Sequence, residues 1–439
     1  MAKEIQPEPA MFDMVEPLRA TRDGYLMSFN LGTPPQVIQV YMDSGSDLTW
    51  VPCGNVSFDC IECDQYYRIN RLTSAFSPLN SSSSLRISCS SPFCTQIHNS
   101  DSSYDPCVMA GCSLNTLLKG TCSRPCPSFA YTYGGGGVVT GTLAKDLLRV
   151  HSTGPSSTTK DFQRFRFGCI RQAYKEPLGI AGFGRGSLSL LSQLGYLNKG
   201  FSHCFVSFKF ASNPNISSPL IIGDEAISSK ESSKFTPLLT NPTYPNYYYI
   251  GLEAITISNM SMKEVPMKLR EFDAKGNGGM MIDSGTTYTH LPEPLYSQLL
   301  LDLQSAIQHP RAIEQEKQTG FDLCYYIPCP NNNGSSNCLE NDDLPSITFH
   351  FLDNVSLFVP RANNFYAIRP PSNSSVVKCL LYQGMNDEND GNDSGGPAAI
   401  FGNFQQQNVE VVYDLMNERI GFNPMDCAAA SSSPQVLRS

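Results

Sequence analysis

A chain of 439 residues is longer than a single hydrophobic core usually supports, and its length predicts two lobes of roughly 200 residues each. Hydrophobic residues make up 41% of the sequence, which is enough to fill both cores. The net charge of −9, with no block of Lys or Arg, argues against nucleic acid as a partner.

The first elements of the chain lead to an aspartate. Residues 1–20 are polar and are predicted to be loosely held. Residues 24–31 alternate between apolar and polar side chains as a strand does, and a turn rich in Gly and Pro follows at 32–36. The apolar run at 37–42 then leads directly into Asp43, so we predict a hairpin that ends on a carboxylate.

A different kind of segment follows, between residues 53 and 126. It is rich in Ser, Asn and Pro and holds nine of the sixteen cysteines, which is typical of an insertion held by disulfides. Aromatic and β-branched runs at 129–133 and 138–143 then flank four glycines. They predict a hairpin with a mobile tip, and a plain flexible turn is the alternative.

The rest of the chain continues the strand-rich pattern. A polar stretch near residue 213 marks the predicted boundary between lobes. The predicted parts are a polar N-terminal segment (1–20), an N-terminal lobe (21–212), a C-terminal lobe (213–427) and a Ser-rich tail (428–439). Helices are predicted at 187–194 and 294–307, and strands at 247–257, 344–349 and 409–414. The pattern is that of a mainly β protein with a few short helices.

The sequence motif around Asp43 occurs twice in the chain. An apolar run, Asp-Ser-Gly and a hydroxyl residue occur at 40–46 and again at 280–286, where the aspartate is Asp283. Each copy is followed well downstream by an apolar pair and a glycine, at 180–182 and 400–402. One copy would be ordinary turn chemistry, but two copies in the same order indicate an internal duplication that brings two carboxylates face to face.

Cysteine content and glycosylation sequons indicate the secretory route. Eight Asn-x-Ser sequons begin at Asn55, Asn80, Asn215, Asn259, Asn333, Asn354, Asn373 and Asn392. The scattered His residues, and a single Cys-x-x-Cys pair at 60–63, favour disulfides over structural zinc. No apolar core of a signal peptide is visible in residues 1–20, so we expect the natural N-terminus to lie upstream, and no run has the about 18 apolar residues of a membrane span.

These motifs resemble the pepsin-like aspartic proteases, and more closely the Cys-rich plant branch typified by nepenthesin. The resemblance covers residues 22–427 and includes both Asp-Ser-Gly copies, a tryptophan seven residues after the first aspartate, and Tyr-Thr-Tyr-Gly at 131–134. It implies a bilobal acid protease fold with two pseudo-symmetric β-rich lobes and a cleft between them. A saposin-like insert found in some plant relatives is absent.

The resemblance also implies roles for individual residues. Asp43 and Asp283, the aspartates of the two Asp-Ser-Gly motifs, would be the catalytic pair, with Gly45 and Gly285 in their loops. Ser46 and Thr286 would support the aspartates by hydrogen bonds. Tyr133 would lie in a flap over the cleft, held from behind by Trp50. Alternative roles are local turn capping for the two hydroxyl residues and core packing for Trp50.

The chemistry expected of such a pair is hydrolysis of peptide bonds in acid. Two close carboxylates share one proton, and one can activate a water as general base while the other polarises the peptide carbonyl as acid. This reaction needs neither a cofactor nor a metal. We expect an extended polypeptide as substrate, a monomeric protein, and the extracellular space, cell wall or vacuole as its location.

The sequence also bears on three other functions. A non-catalytic pepsin-like protein, such as a plant xylanase inhibitor or a seed globulin, typically has damaged catalytic triplets, and both triplets are intact here. A serine hydrolase would have a Gly-x-Ser-x-Gly elbow, and none occurs. The glycine-rich run at 182–186 lacks the ending and context of a nucleotide loop.

Disulfide partners can be predicted only in part. The nine clustered cysteines cannot all pair among themselves, because nine is odd. Neighbouring pairs such as Cys53 with Cys60, and Cys329 with Cys338, are candidates. Cys324 with Cys379 resembles the bridge of the second lobe in the family, and Cys427 has two candidate partners, Cys169 and Cys204.

Overall fold

A computed structural model describes the chain over 14–54, 59–63, 75–98, 105–151, 159–176, 178–228, 234–258, 260, 263–328, 343–368, 375–385 and 396–432. Within these residues the protein is mainly β, as the sequence predicted. The first half contains the strands β1 (Met14–Ala20), β2 (Tyr25–Leu31), β3 (Gln36–Asp43), β4 (Trp50–Pro52), β5 (Asp59–Ile61), β6 (Leu85–Arg86), β7 (Phe129–Thr132), β8 (Val138–His151), β9 (Thr159–Tyr174), β10 (Gly179–Gly182), β11 (Phe201–Cys204) and β12 (Ser218–Ile222).

The second half is also built mostly of strands. They are β13 (Phe235–Pro237), β14 (Tyr249–Ile250), β15 (Leu252–Ile257), β16 (Lys263–Glu264), β17 (Met280–Ile282), β18 (Thr289–Pro292), β19 (Cys324–Pro328), β20 (Ile347–Phe351), β21 (Val355–Val359), β22 (Phe365–Ala367), β23 (Ser375–Leu380), β24 (Tyr382–Met385), β25 (Ala399–Phe401), β26 (Val409–Asp414) and β27 (Arg419–Pro424).

The α-helices of the described residues are short. They are α1 (Pro92–Ile97), α2 (Pro106–Met109), α3 (Leu114–Leu118), α4 (Leu190–Leu194), α5 (Glu225–Ser228), α6 (Leu295–Ala306), α7 (Ile313–Thr319) and α8 (Cys427–Ser432). The helix predicted at 187–194 begins only at Leu190, because the Ser189 hydroxyl caps it by accepting a hydrogen bond from the Ser192 amide. None of the described helices is long and apolar enough to cross a membrane.

The largest sheet joins the two halves of the chain. Its strands run in the order β13-β27-β26-β11-β12-β1-β2-β3-β10-β4-β9-β8-β6, so β26 and β27, from the end of the chain, pair next to strands of the first half. The prediction that residues 1–20 are loosely held is wrong for Met14–Ala20, which forms β1 between β12 and β2. Apolar side chains of β1 such as Leu18 are fully buried, and this burial outweighs the polar composition of the segment.

The strands around the two aspartates have the same topology, which agrees with the predicted duplication. Strand β10 pairs with β3 in parallel and with β4 antiparallel, placing Gly182 opposite Asp43. In the second half β25 pairs with β17 in parallel and with β18 antiparallel. Each Asp-Ser-Gly loop is therefore held against the later apolar-glycine motif of its own half. The division into lobes at residue 213 stays a prediction.

Seven disulfides connect the described cysteines. Cys324–Cys379 and Cys204–Cys427 agree with the resemblance and with one of the two alternatives for Cys427. The predicted pair Cys53–Cys60 is wrong: Cys53 bonds Cys169, which lies on strand β9 beside β4, and this bond removes the odd member of the cluster. The other eight pair locally, as Cys60–Cys63, Cys89–Cys107, Cys94–Cys126 and Cys112–Cys122. The predicted pair Cys329–Cys338 lies outside the described residues.

One buried carboxylate in β1 gives a testable prediction about stability. Glu16 is 4% exposed, and burial raises its pKa from the ordinary 4.5 to about 8. Between these values the folded chain keeps a proton that the unfolded chain releases, so the free energy of unfolding falls as pH rises. The loss is at most about 1.4 kcal/mol per pH unit. We expect Glu16→Gln to flatten this fall in urea unfolding between about pH 5 and about pH 7.5.

Glu264→Gln, at an exposed position in β16, is the matched control and should leave the slope unchanged. If the Glu16→Gln protein lost stability with pH as steeply as the parent, the buried carboxylate would not hold the extra proton.

Candidate active site

The two aspartates lie at the ends of equivalent buried strands. Strand β3 ends at Asp43 and strand β17 ends one residue before Asp283, and both carboxylates are nearly inaccessible, with exposures of 5% and 7%. A Cβ atom on Gly45 would lie 2.5 Å from the Asp283 carboxylate, and one on Gly285 would lie 2.3 Å from that of Asp43. Glycine in both loops is therefore what lets the two carboxylates approach each other.

Each carboxylate accepts the same pair of hydrogen bonds within its own loop. Asp43 accepts from the Gly45 amide at 2.8 Å and from the Ser46 hydroxyl. Asp283 accepts from the Gly285 amide at 2.7 Å and from the Thr286 hydroxyl at 2.5 Å. The hydroxyl residues thus bond the aspartates, as the resemblance implied, and fix the outer oxygen of each carboxylate.

Burial and mutual repulsion favour one shared proton. The pKa of Asp43 is raised well above its ordinary value, first by burial and then by the negative charge of Asp283. Hydrogen bonds from Ser46 and Gly45 oppose this shift, and a hydrogen bond with the Asp283 carboxylate adds to it. The arrangement can therefore hold one proton between two carboxylates, with one group able to accept a proton and the other able to donate it.

The two loops are locked together by their middle residues. The amide of Ser44 donates to the Ser284 hydroxyl at 2.9 Å, and the amide of Ser284 donates to the Ser44 hydroxyl at 2.9 Å. The hydroxyls in turn donate to the carbonyls of Ile282 and Met42 on the opposite strands. No role was predicted for these serines, although their repetition in the two motifs was the available signal.

Residues after β25 support the second loop from behind. The Asn403 amide donates to the carbonyls of Ser284 and Asp23, and the Gln406 amide donates to the carbonyls of Asp283 and Phe401. Asn403 belonged to a motif used for the resemblance, but no function was predicted for either residue. The three consecutive glutamines at 405–407, just before a buried strand, were the sequence signal for this hydrogen-bond network.

The hairpin formed by β7 and β8 carries the predicted flap residues. Tyr133 follows β7, and its hydroxyl accepts a hydrogen bond from the Trp50 indole N–H at 2.6 Å. The Tyr131 ring packs edge-on against it with centroids 5.2 Å apart. Burial raises the pKa of Tyr133 well above its ordinary value, and the charges of Tyr131, Asp43 and Glu176 raise it further. The flap tyrosine is therefore buried, and its hydroxyl is held in place by the Trp50 indole.

A third carboxylate, missed by the sequence analysis, lies one residue beyond the first loop. Asp47 accepts hydrogen bonds from the Gly186 amide at 2.8 Å and from the Asn246 side chain at 2.9 Å. Burial raises its pKa to about 6 against these two bonds, which lower it. A Cβ on Gly184 or Gly186 would lie 2.4 or 2.0 Å from its oxygens, so the glycine-rich run at 182–186 wraps this carboxylate.

The described cysteines that lie close enough together to suggest a metal site are all in disulfides. One group contains the Cys89–Cys107 and Cys112–Cys122 bridges, and the other contains Cys94–Cys126 beside His98. Sulfurs in disulfides cannot bind a metal as thiolates, so these cysteines cross-link the insertion.

Comparison with known proteins covers almost the whole chain. Residues 25–224 match the family model described as "Xylanase inhibitor N-terminal", and residues 247–424 match "Xylanase inhibitor C-terminal". A probable aspartyl protease of Arabidopsis thaliana is 35% identical, with 92% of this chain and 82% of that protein aligned. Aspartic proteinase nepenthesin-1 of Nepenthes gracilis is 31% identical, with 92% and 78% aligned.

Solved structures share the fold. The crystal structure of edgp superposes with a TM-score of 0.67 at 21% identity, covering 97% of both chains. Basic 7S globulin from soybean superposes with a TM-score of 0.62 at 19% identity, covering 96% of this chain and 99% of the globulin.

The serine lock between the loops predicts a coupled loss of stability. Ser44→Ala or Ser284→Ala leaves a buried amide of the opposite loop without its acceptor, which should lower the free energy of unfolding by about 1–3 kcal/mol. Because both serines close the same junction, the double variant should lose measurably less than the sum. Urea unfolding of the four proteins measures this coupling.

Ser305→Ala is the matched control, since that hydroxyl donates to the Asp302 carbonyl in α6, away from the junction. Its effect should add to that of Ser44→Ala. Additivity of the two junction serines themselves, within about 0.5 kcal/mol, would mean that the loops are held independently.

Proposed function

The chain belongs to the pepsin-like (A1) family of plant aspartic proteases and xylanase inhibitors, and from this membership we propose that it is an aspartic endopeptidase active at acidic pH. The observation that carries the proposal is the buried pair Asp43 and Asp283, each with its own amide and hydroxyl donors. The relatives named as aspartyl proteases support it.

In the proposed reaction the pair acts on a water and a peptide carbonyl. One carboxylate, unprotonated, takes a proton from the water as the oxygen attacks the carbonyl carbon. The other donates its proton to the carbonyl oxygen, which gives a neutral gem-diol. The newly protonated carboxylate then donates its proton to the amide nitrogen while the other takes a proton from a gem-diol hydroxyl. The C–N bond breaks to give a carboxylic acid and an amine, and the pair again holds one proton.

The surrounding residues have positioning roles in this proposal. Hydrogen bonds from Gly45, Ser46, Gly285 and Thr286 hold each carboxylate in a fixed orientation, so that little reorganisation is needed when charge moves. Tyr133, fixed by its bond from the Trp50 indole, covers an extended polypeptide bound across the cleft. We expect the protein to work as a monomer.

We further propose that the protein is made in the secretory pathway and works outside the cell or in the vacuole. Seven disulfides among the described residues support an oxidising route. Three predicted glycosylation sequons lie in the described part of the chain, and their asparagines, Asn80, Asn215 and Asn354, are exposed. Mass spectrometry of the plant protein before and after deglycosylation would show whether they carry glycans.

A second candidate function is binding without catalysis. It is favoured by the two matching family models, which are described as halves of a xylanase inhibitor, and by the similarity to seed globulin structures. Fold similarity alone does not decide between the two functions. The complete hydrogen-bond set of both aspartates favours catalysis.

The test is digestion of acid-denatured globin from about pH 3 to about pH 7, with and without pepstatin. Cleavage should be highest in acid and fall as pH rises through the raised pKa of Asp43, because the pair then loses its shared proton. Asp43→Asn and Asp283→Asn should each reduce the rate at least about a hundredfold.

Asp353→Asn, in the exposed turn between β20 and β21, is the matched control and should retain full activity. Folded and fully processed protein that cleaves nothing at any pH would favour the binding function. Cleavage that survives both catalytic-site substitutions would place the chemistry elsewhere.

A further inference from the structure

A fourth carboxylate lies under the flap and has no part in the proposed reaction. Glu176 follows β9, next to the disulfide-closed turn at 60–63, where the Lys175 amide donates to the Ile61 carbonyl at 3.0 Å. Its side chain reaches back over the hairpin: a Cβ on Gly137 would lie 2.0 Å from a Glu176 carboxylate oxygen. Glycine at this flap position therefore makes room for the carboxylate.

The pairing of the hairpin shows which face of the flap Glu176 occupies. Thr132 pairs with Val138, so Tyr133 and Gly137 are opposite each other, and the Tyr133 amide donates to the Gly137 carbonyl at 2.8 Å. Opposite residues in an antiparallel pair project to the same face. The Glu176 carboxylate fills the position of a Gly137 side chain, so it lies on the inner face of the flap with the Tyr133 ring.

No cation neutralises this carboxylate within the described residues. The nearest basic residue in sequence, Lys175, directs its ammonium to the Glu62 carboxylate at 3.9 Å and to the Tyr174 ring at 5.0 Å. Burial raises the pKa of Glu176 to about 7. A carboxylate removed from water without a partner gains strongly when a cation reaches it.

We propose that Glu176 determines substrate specificity by binding the lysine or arginine side chain of a peptide lying under the flap. This inference rests on the proposed endopeptidase function. The peptide side chain would enter beside Tyr133 and form an ion pair with the Glu176 carboxylate, for which the described residues supply no cation. A long, flexible cationic side chain suits the site because its methylene stem can pack on the Tyr131 and Tyr133 rings while its charge meets the carboxylate.

Protons and substrate cations compete for this carboxylate. Titratable groups on the elements around it are Tyr131 and Tyr133 on the flap, Tyr174 and Lys175 where β9 ends, and Asp59 and Glu62 at the turn. The charge of Asp43 also acts on Tyr133. In strong acid the carboxylate is neutral and attracts a cation weakly. As pH rises toward about 7 it ionises, so the preference for a basic side chain should grow over the same range in which the catalytic pair slows.

The experiment compares kcat/KM for a set of otherwise identical peptides with lysine, norleucine or glutamine at each position flanking the cleaved bond. At one position the parent protein should prefer lysine over norleucine, and this ratio should rise about tenfold from about pH 4 to about pH 6.5. Glu176→Gln should cleave the norleucine peptide as the parent does, with a lysine ratio that is low and independent of pH.

Glu62→Gln is the matched control, because it removes the same charge from the neighbouring turn without touching Gly137. If it abolished the lysine preference as fully as Glu176→Gln does, general charge rather than an ion pair would explain it. Equal ratios for the parent and Glu176→Gln at all positions would overturn the proposal while leaving the endopeptidase function intact.

Binding separates this proposal from the proposed activity. Calorimetric titration of the Asp43→Asn protein with the lysine and norleucine peptides should show tighter binding of lysine, lost when Glu176→Gln is added. This result is expected even if the parent cleaves no peptide. Equal binding of both peptides to the Asp43→Asn protein would reject the cation site directly.

Discussion

The repulsion between Asp43 and Asp283 is the constraint on which the centre of this structure depends. Two carboxylates stay together in a buried crevice only if they share a proton and if their loops cannot move apart. The glycines allow the approach, the loop donors hold each carboxylate, and the reciprocal bonds between Ser44 and Ser284 prevent separation. Strand β1 and the strands at the end of the chain then hold the two halves in one sheet.

The sequence predicted the parts of the structure that depend on short local patterns. The hairpin before Asp43, the apolar run repeated before Asp283 and the aromatic hairpin of the flap were visible as short patterns, and they form the β2–β3 hairpin, strand β17 and the β7–β8 hairpin. Contacts between distant segments were not visible, because nothing local to Cys53 indicates Cys169, and nothing in β1 shows its place between β2 and β12. Even β1 looked polar, since Glu16 and Arg19 interrupt its apolar residues, although only Pro17 and Arg19 of its seven residues are exposed.

In the site, too, the residues within local motifs could be predicted, and those contributed by distant segments could not. Both aspartates and their hydroxyl partners follow from the repeated motif, whereas the Asn246 amide on Asp47 and the Gln406 amide on the second loop come from segments far away in sequence. Glu176 is hidden for another reason. Its significance depends on Gly137, which leaves space for the Glu176 carboxylate because glycine has no Cβ. The sequence of four consecutive glycines does not indicate which residue occupies that space.

The position of the last strands has a consequence for biosynthesis. Strands β26 and β27 complete the shared sheet, Gln406 and Asn403 hold the loop of Asp283, and the Cys204–Cys427 bond closes 223 residues of chain. A ribosome that has released the first half, and even Asp283 itself, has not yet supplied these residues. The aspartate pair therefore gains its full set of supporting contacts only after residues 403–427 have been made, so a nascent chain that stops before them cannot present a finished site to the proteins around it.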